Sequence, residues 1–150
     1  MARVVRSSTQ HAYIDASPEQ VWELVGDPNQ HAGWWPDVIE AECADIREGC
    51  RYRGVVKGVF RTEERELLIE NLEACREVSI FCEGTGVTTR FTLAEAQGGT
   101  FVEGHFAIEP NSIGATVFGA LAGRRIMSSW LQASLANLKS AAERSSAPAA

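Results

Sequence analysis

Residues 38–109 contain six short segments in which apolar and polar residues alternate, and no other feature restricts the possible fold as strongly. Alternation of this kind indicates strands with one buried face, and turn residues such as Gly84-Thr85-Gly86 separate the segments. The predicted strands cover residues 39–46, 51–57, 59–69, 76–83, 86–95 and 100–109. Consecutive strands with short connections pair as a meander, so we expect one antiparallel sheet.

One further strand and two short helices are predicted before this stretch. Residues 9–15 alternate, and Ser17-Pro18-Glu19-Gln20 then marks a helix start, with Ser17 as N-cap and Gln20 as its capping-box partner. That helix ends near Gly26, and a second short helix or turn covers residues 29–35. After Pro110 the pattern changes to helical spacing over residues 113–144.

The element order therefore is strand, two short helices, six strands and one long helix. A seven-stranded sheet must bury one face, and only the C-terminal helix is long enough to cover it. The sequence predicts a single α+β domain over residues 1–150, in which a curved seven-stranded antiparallel sheet wraps around that helix. We expect frayed termini at about residues 1–8 and 145–150.

Composition excludes several classes of function. The net charge of −6 argues against electrostatic binding of nucleic acid. The longest uncharged apolar stretch, residues 111–123, is shorter than the roughly 20 residues of a membrane span, and the N-terminus lacks the apolar core of a secretory signal. We expect a cytoplasmic monomer or homodimer that takes no cofactor. The four cysteines form no C-x-x-C motif and are interpreted as small buried hydrophobes rather than a disulfide framework or zinc site.

The chain resembles the START/Bet v 1-like (SRPBCC) superfamily, often described as polyketide cyclase/dehydrase. The resemblance spans nearly the whole chain and rests on the segment Ile14-Asp15-Ala16-Ser17-Pro18-Glu19-Gln20-Val21-Trp22, on Asp27-Pro28, Trp34-Trp35-Pro36 and Gly98-Gly99-Thr100, and on the long final helix. It implies a helix-grip fold with a deep apolar cavity between the sheet and the C-terminal helix. Members of the superfamily carry lipids, sterols or other hydrophobic ligands, some cyclise polyketides, and some small bacterial members are labelled toxins or stress-response proteins.

The alternation also assigns the two faces of the predicted sheet. Glu103 and His105 fall on the outer face, where we interpret them as solvated rather than as an acid–base pair, and we expect His11 and His31 at the surface or in loops. The inner face is predicted to carry Ala41, Cys43, Tyr52, Gly54, Val56, Val78, Ile80, Cys82, Val87, Thr89, Phe91, Leu93, Val102, Gly104, Phe106 and Ile108.

The strand over residues 59–69 does not follow the one-sided pattern. One phase places Glu63 and Arg65 on the inner face, and the other places Glu64 and Glu66 there. Either phase points a charged side chain inward, which indicates an exposed lip with cross-strand ion pairs or a polar anchor for the head group of a ligand.

Arg124 and Ser128 interrupt an apolar stripe on the final helix. An arginine in such a stripe needs a partner, and the alternatives are a carboxylate such as Glu63 or Glu66, a ligand's carboxylate or carbonyl, or an escape to solvent. We expect Arg124→Leu to change ligand binding more than folding.

Trp34 and Trp35 match the entrance region of the superfamily. Because two adjacent side chains cannot both point the same way, we expect one of them to lie at the rim of the cavity.

These observations favour a protein that binds or carries a hydrophobic small molecule, such as a lipid, isoprenoid or polyketide. The alternatives are a cyclase or aromatase using the same cavity and a toxin or stress-response protein acting through protein contacts. The superfamily shares no fixed catalytic triad, so no catalytic residue follows from the resemblance. We expect no metal, and we expect ligand contacts from Trp34, Trp35, Tyr52, Glu63, Arg65, Thr89, Phe91, Phe106, Leu121, Arg124 and Ser128.

Overall fold

A computed structural model gives the structure of the protein and describes residues 6–57, 61–109 and 123–146. Seven strands form one antiparallel sheet, in the order β1-β7-β6-β5-β4-β3-β2. The strands are β1 (Arg6–Ile14), β2 (Val38–Glu42), β3 (Arg51–Lys57), β4 (Thr62–Glu73), β5 (Glu77–Cys82), β6 (Val87–Ala96) and β7 (Gly99–Ile108). The predicted α+β fold is confirmed, and β1 begins at Arg6, within the segment that was expected to fray.

Two short helices follow β1, as predicted. Helix α1 (Pro18–Val25) begins with the predicted capping box, in which the Gln20 amide N–H donates to Ser17 Oγ over 3.2 Å and the Ser17 amide N–H donates to Gln20 Oε1 over 3.0 Å. A 3₁₀ helix (Pro28–Gly33) follows, capped by the Asp27 side chain, which accepts from the Asn29 amide. These caps satisfy amides that have no partner within the helix.

Helix α2 (Gly123–Ser146) packs mainly against β1, with further contacts to α1 and β7, and runs in the same direction as β1. Ser128 Oγ lies 2.9 Å from Ser8 Oγ near the start of β1, and Lys139 Nζ donates to the Tyr13 carbonyl near its end. The buried stripe of α2 carries Met127, Leu131, Ser134, Leu135, Leu138 and Ala142. The predicted first ten residues of this helix, 113–122, lie outside the described residues.

The inner face of the sheet, which packs against α2, carries the predicted apolar residues. Register places them in rows across neighbouring strands: Phe91 on β6 lies between Val78 on β5 and Gly104 on β7. Helix α2 packs closely against the sheet at Gly104, because a Cβ added there would lie 2.8 Å from Leu131 Cδ1. The helix-grip arrangement predicted from the sequence is therefore present.

The β3–β4 and β5–β6 connections lie at the same end of the sheet, which we call the Lys57 end. It is formed by the ends of β3, β5 and β7 and the beginnings of β2, β4 and β6. Ser128 lies toward this end, so the first turns of α2 approach it. Among the described helices, none combines the length and the apolar character needed to cross a membrane.

Candidate functional site

The charged strand β4 turns Glu63 and Arg65 toward the inner face. Both are half-buried and alternate in phase with the buried Leu67 and Ile69, whereas Glu64 is exposed. The phase was ambiguous in the sequence because Leu68, on the outer face, is also apolar; it lies opposite Phe81 of β5.

Glu63 and Arg65 form an ion pair with each other at the Lys57 end. Arg65 Nη2 donates to Glu63 Oε2, and the two side chains are 22% and 31% exposed, respectively. Arg61, by contrast, is 83% exposed and its Nε lies 3.9 Å from Glu63 Oε1. The pair is thus a partly desolvated charge cluster on an otherwise apolar face, where charged hydrogen bonds are stronger than in water.

The Nε–H group of Arg65 is an unused hydrogen-bond donor. Its Nε is buried and has no hydrogen-bond partner among the described residues. The side chain lies flat against Gly84 in the β5–β6 turn, since a Cβ at Gly84 would be 3.2 Å from Cδ and 3.3 Å from Cζ of Arg65. A buried donor without a partner costs free energy, so this group can gain from a ligand that brings an acceptor.

Tyr52 lies in the neighbouring row of the inner face. It opposes Leu67, which in turn opposes Cys82, and it is 6% exposed. Burial is the main cause that raises the pKa of its phenol well above the usual range, and the thiols of Cys43 and Cys82 add to it. Tyr52 therefore stays protonated near neutral pH and is a hydrogen-bond donor.

The expectation that Trp34 and Trp35 point in opposite directions is wrong. Their rings stack with centroids 5.7 Å apart, and both contact the edge or face of Phe91. Adjacent side chains can share a direction here because Trp34 is the C-cap residue of the 3₁₀ helix. Trp34 is 3% exposed and donates from Nε1 to the Leu24 carbonyl, so Trp35, half-buried, is the more accessible of the two.

His31 belongs to the same aromatic cluster, which corrects its assignment to the surface. It is fully buried, and its ring lies 5.3 Å from that of Trp35 and 5.6 Å from that of Trp34. Burial lowers the pKa of His31 to about 4, against the opposing effect of its hydrogen bond to the Val25 carbonyl. The ring is therefore neutral at neutral pH, and Nε2–H donates to Val25 over 2.8 Å. No sequence signal marked this histidine as buried.

Two other expected ligand contacts also lie on the inner face. Thr89 and Phe106 are directly opposite each other on β6 and β7, and Ser8 on β1 lies on the other side of Phe106. Ser128 reaches this row through its hydrogen bond to Ser8. The interruption of the α2 stripe at Ser128 thus has a partner on the sheet.

Leu121 lies outside the described residues, and so does the side chain of Arg124, of which only the backbone is described. The alternatives for Arg124 therefore remain predictions. Glu63, one of its suggested partners, is occupied by Arg65, and Glu66 is exposed.

The outer-face histidine His105 does not pair with Glu103. Its Nδ1 lies 2.8 Å from Thr9 Oγ1, whereas the Glu103 carboxylate is 3.3 Å from His11 Nε2. Separate partners on the outer face favour the predicted surface role for both residues.

Asp37 is a residue that the sequence interpretation missed. It follows Trp35-Pro36 at the Lys57 end and is mostly buried, and this burial raises the pKa of its carboxyl to about 6 despite the opposing charge of Lys57. Over the described ranges, no group of three or more His, Cys, Asp or Glu side chains is arranged to hold a metal ion.

Comparison with solved structures supports the fold. The Aha1 dimer from Colwellia psychrerythraea has a TM-score of 0.68 and 18% identity, covering 95% of this chain and 99% of that one. Protein NE0264 from Nitrosomonas europaea has a TM-score of 0.70 and 12% identity over 93% and 95%. The AHSA1-like protein from Aeromonas hydrophila has a TM-score of 0.64 and 20% identity over 93% and 94%. At these identities the similarity extends to the fold alone.

The search of curated proteins gave no match. The family model described as "Polyketide cyclase / dehydrase and lipid transport" matches residues 2–143. Because this match covers nearly the whole chain and agrees with the helix-grip sheet described above, the chain belongs to the polyketide cyclase/dehydrase and lipid transport family.

Proposed function

We propose that the protein binds a hydrophobic small molecule that carries a hydrogen-bond-accepting head group, between the inner face of the sheet and α2. The observation that carries this proposal is the Glu63–Arg65 pair, which places a partly desolvated guanidinium with an unpartnered Nε on an apolar face. The family description, which includes lipid transport, supports a ligand-binding role.

Arg65 is the anchor in this proposal. A carboxylate or carbonyl oxygen of the ligand accepts from the guanidinium, and a charge-assisted hydrogen bond is worth roughly 1.5–3 kcal/mol. Glu63 keeps the guanidinium oriented, so it is a positioning residue. Gly84 leaves the space in which the arginine side chain lies.

The apolar part of the ligand then follows the inner face away from the Lys57 end. Tyr52 and Thr89 offer hydroxyl groups along this path, and Phe106 offers an aromatic surface. Trp35 contributes at the edge of the aromatic cluster, whereas Trp34 and Phe91 support it from the core. Leu121, Arg124 and Ser128 complete the proposed set of ligand contacts.

Mass spectrometry under native conditions tests this function on the freshly purified protein. We expect a discrete co-purified mass that denaturing extraction releases as an amphipathic molecule, such as a fatty acid, isoprenoid or polyketide. If the purified protein carries no such mass and also fails to bind an added long-chain fatty acid or its alcohol, the proposal is wrong.

A second candidate is an enzyme of the polyketide cyclase type that uses the same face. The observation in its favour is Asp37, because a carboxyl with a pKa of about 6 can both accept and donate a proton near neutral pH. The Asp37→Asn variant separates the two functions: an enzyme loses turnover of a bound polyketide while still binding it, whereas a carrier shows no turnover before the substitution and keeps its binding after it.

The Colwellia relative is described as a dimer. For this chain the proposal is a cytoplasmic monomer or homodimer, and light scattering after size-exclusion chromatography distinguishes the two assemblies.

A further inference from the structure

Cys43 and Cys50 lie side by side at the β2 edge of the sheet. Their Sγ atoms are 3.8 Å apart, although the residues stand at opposite ends of the connection between β2 and β3. Both are free thiols; Cys43 is 5% exposed and Cys50 is half-buried. The interpretation of the cysteines as separate buried hydrophobes does not account for this contact.

Different parts of the fold hold the two cysteine backbones. The Asn29 side chain makes two hydrogen bonds to the backbone of Cys43. Asn29 Nδ2 donates to the Cys43 carbonyl and Asn29 Oδ1 accepts from the Cys43 amide, each over 2.9 Å. The Cys50 carbonyl accepts from the Ile69 amide over 2.9 Å, and its amide donates to the Arg47 carbonyl. The thiols are thus brought together by the folded chain, and closing the remaining distance to the roughly 2.05 Å of a disulfide needs side-chain rotation.

We propose that Cys43 and Cys50 are a modification site, at which a reversible intramolecular disulfide forms by exchange with a low-molecular-weight disulfide of the glutathione type. In the first step, one cysteine thiolate attacks a sulfur of the external disulfide and expels one thiolate, which takes up a proton. In the second, the other cysteine loses its proton to solvent, attacks the mixed disulfide and expels the second thiol. The protein dithiol is oxidised by two electrons, and the external disulfide is reduced by two.

The exposure of the two thiols indicates which cysteine reacts first. Cys50 is the more accessible thiol and reacts first. Cys43 reacts second, because burial and then its hydrogen bond with Cys50 raise the pKa of its thiol to about 11. Few Cys43 thiolates exist at neutral pH, so closure of the disulfide accelerates as the pH becomes mildly alkaline.

Peptide mapping tests this site directly, because trypsin places the four cysteines in separate peptides. Cleavage after Arg6, Arg47 and Arg51 leaves Cys43 in residues 7–47 and Cys50 in residues 48–51. The folded protein is incubated with oxidised and reduced glutathione at neutral and mildly alkaline pH, quenched with acid, alkylated and digested. We expect the peptide of Cys50 to be joined to that of Cys43 in a monomer lacking two hydrogen atoms, and reduced glutathione to reverse this.

Variants give the controls. The Cys75→Ser/Cys82→Ser double variant retains the proposed pair and is expected to oxidise like the wild type. Cys43→Ser is expected to accumulate a glutathione adduct at Cys50, whereas Cys50→Ser leaves Cys43 unmodified. The proposal is overturned if the wild type gives only glutathione adducts, pairs either cysteine with Cys82, crosslinks between molecules, or keeps both thiols reduced in oxidised glutathione.

Discussion

The guanidinium of Arg65 occupies the space that a side chain at Gly84 would need, since a Cβ at Gly84 would lie 2.5 Å from Arg65 Nη1. The β5–β6 turn therefore leaves room for an arginine that originates on β4, the neighbouring strand of β5. A substitution at Gly84 can therefore move the Arg65 guanidinium without removing its positive charge.

Gly84→Ala is expected to weaken binding of a long-chain fatty acid while leaving stability nearly unchanged. The added methyl group displaces the far end of a flexible side chain, which costs less than about 1 kcal/mol in the free energy of unfolding. Fatty-acid titration and urea unfolding measure the two effects. Gly33→Ala is the matched control, because nothing lies within 4 Å of its added Cβ. Equal binding by both variants would remove the support for Arg65 as an anchor.

Gly104→Ala is expected to destabilise the protein by about 1–3 kcal/mol, the usual cost of overpacking a core. Its Cβ would lie 2.8 Å from Cδ1 of Leu131, which is 2% exposed and packed between sheet and helix. Urea unfolding measures the loss, again beside Gly33→Ala. An unchanged free energy of unfolding would mean that α2 does not press against β7 at this point.

His31 is expected to make the protein less stable in acid. Its pKa is about 4 in the folded chain and 6.5 in the unfolded chain, so between these values the unfolded chain binds more protons. The contribution of His31 to stability is complete above pH 6.5 and falls as the pH drops toward 4, by on the order of 3 kcal/mol. Urea unfolding across this range measures the slope, and His31→Gln should flatten it. A slope that His31→Gln leaves intact would contradict a buried neutral histidine.

Asp37 is expected to have the opposite effect on the pH dependence of stability. Its pKa rises from 3.8 in the unfolded chain to about 6 in the folded one, so the folded chain binds the extra proton and this contribution to stability is lost as the pH rises through 6. Asp37→Asn is therefore expected to raise the free energy of unfolding above pH 6 but not near pH 4. Glu66→Gln, at an exposed position on β4, controls for the loss of one negative charge. Equal effects of the two substitutions would contradict the burial of Asp37.

The sheet could be predicted because nearly every strand has one apolar and one polar face. Phe91 on β6 lies between the polar Arg90 and Thr92, so both the strand and its buried side follow from a period of two. The capping box at Ser17 was equally readable, because its hydrogen bonds are local. The side of the sheet to which each β4 side chain points could not be predicted, because the apolar Leu68 lies opposite Phe81 on the outer face.

The details of the site depend on contacts between distant segments. Trp34 and Trp35 stack where the 3₁₀ helix ends, with Trp34 as its C-cap, a geometry that neither residue encodes alone. His31 is buried by the same two rings. The packing of Arg65 against Gly84 joins strands whose register is set by the whole meander, so only the structure brings the two together.

The central claim is that Arg65 anchors an accepting head group on an apolar face. Its most direct measurement compares the affinity of a fluorescent long-chain fatty acid for the wild type, Arg65→Gln and the exposed control Arg61→Gln, each repeated with the methyl ester of the probe. We expect Arg65→Gln to weaken fatty-acid binding about tenfold or more, because a charged hydrogen bond is lost. The same substitution should weaken binding of the ester less, and Arg61→Gln should leave the binding of both probes unchanged. Equal affinities of the wild type and Arg65→Gln for the fatty acid would contradict the claim.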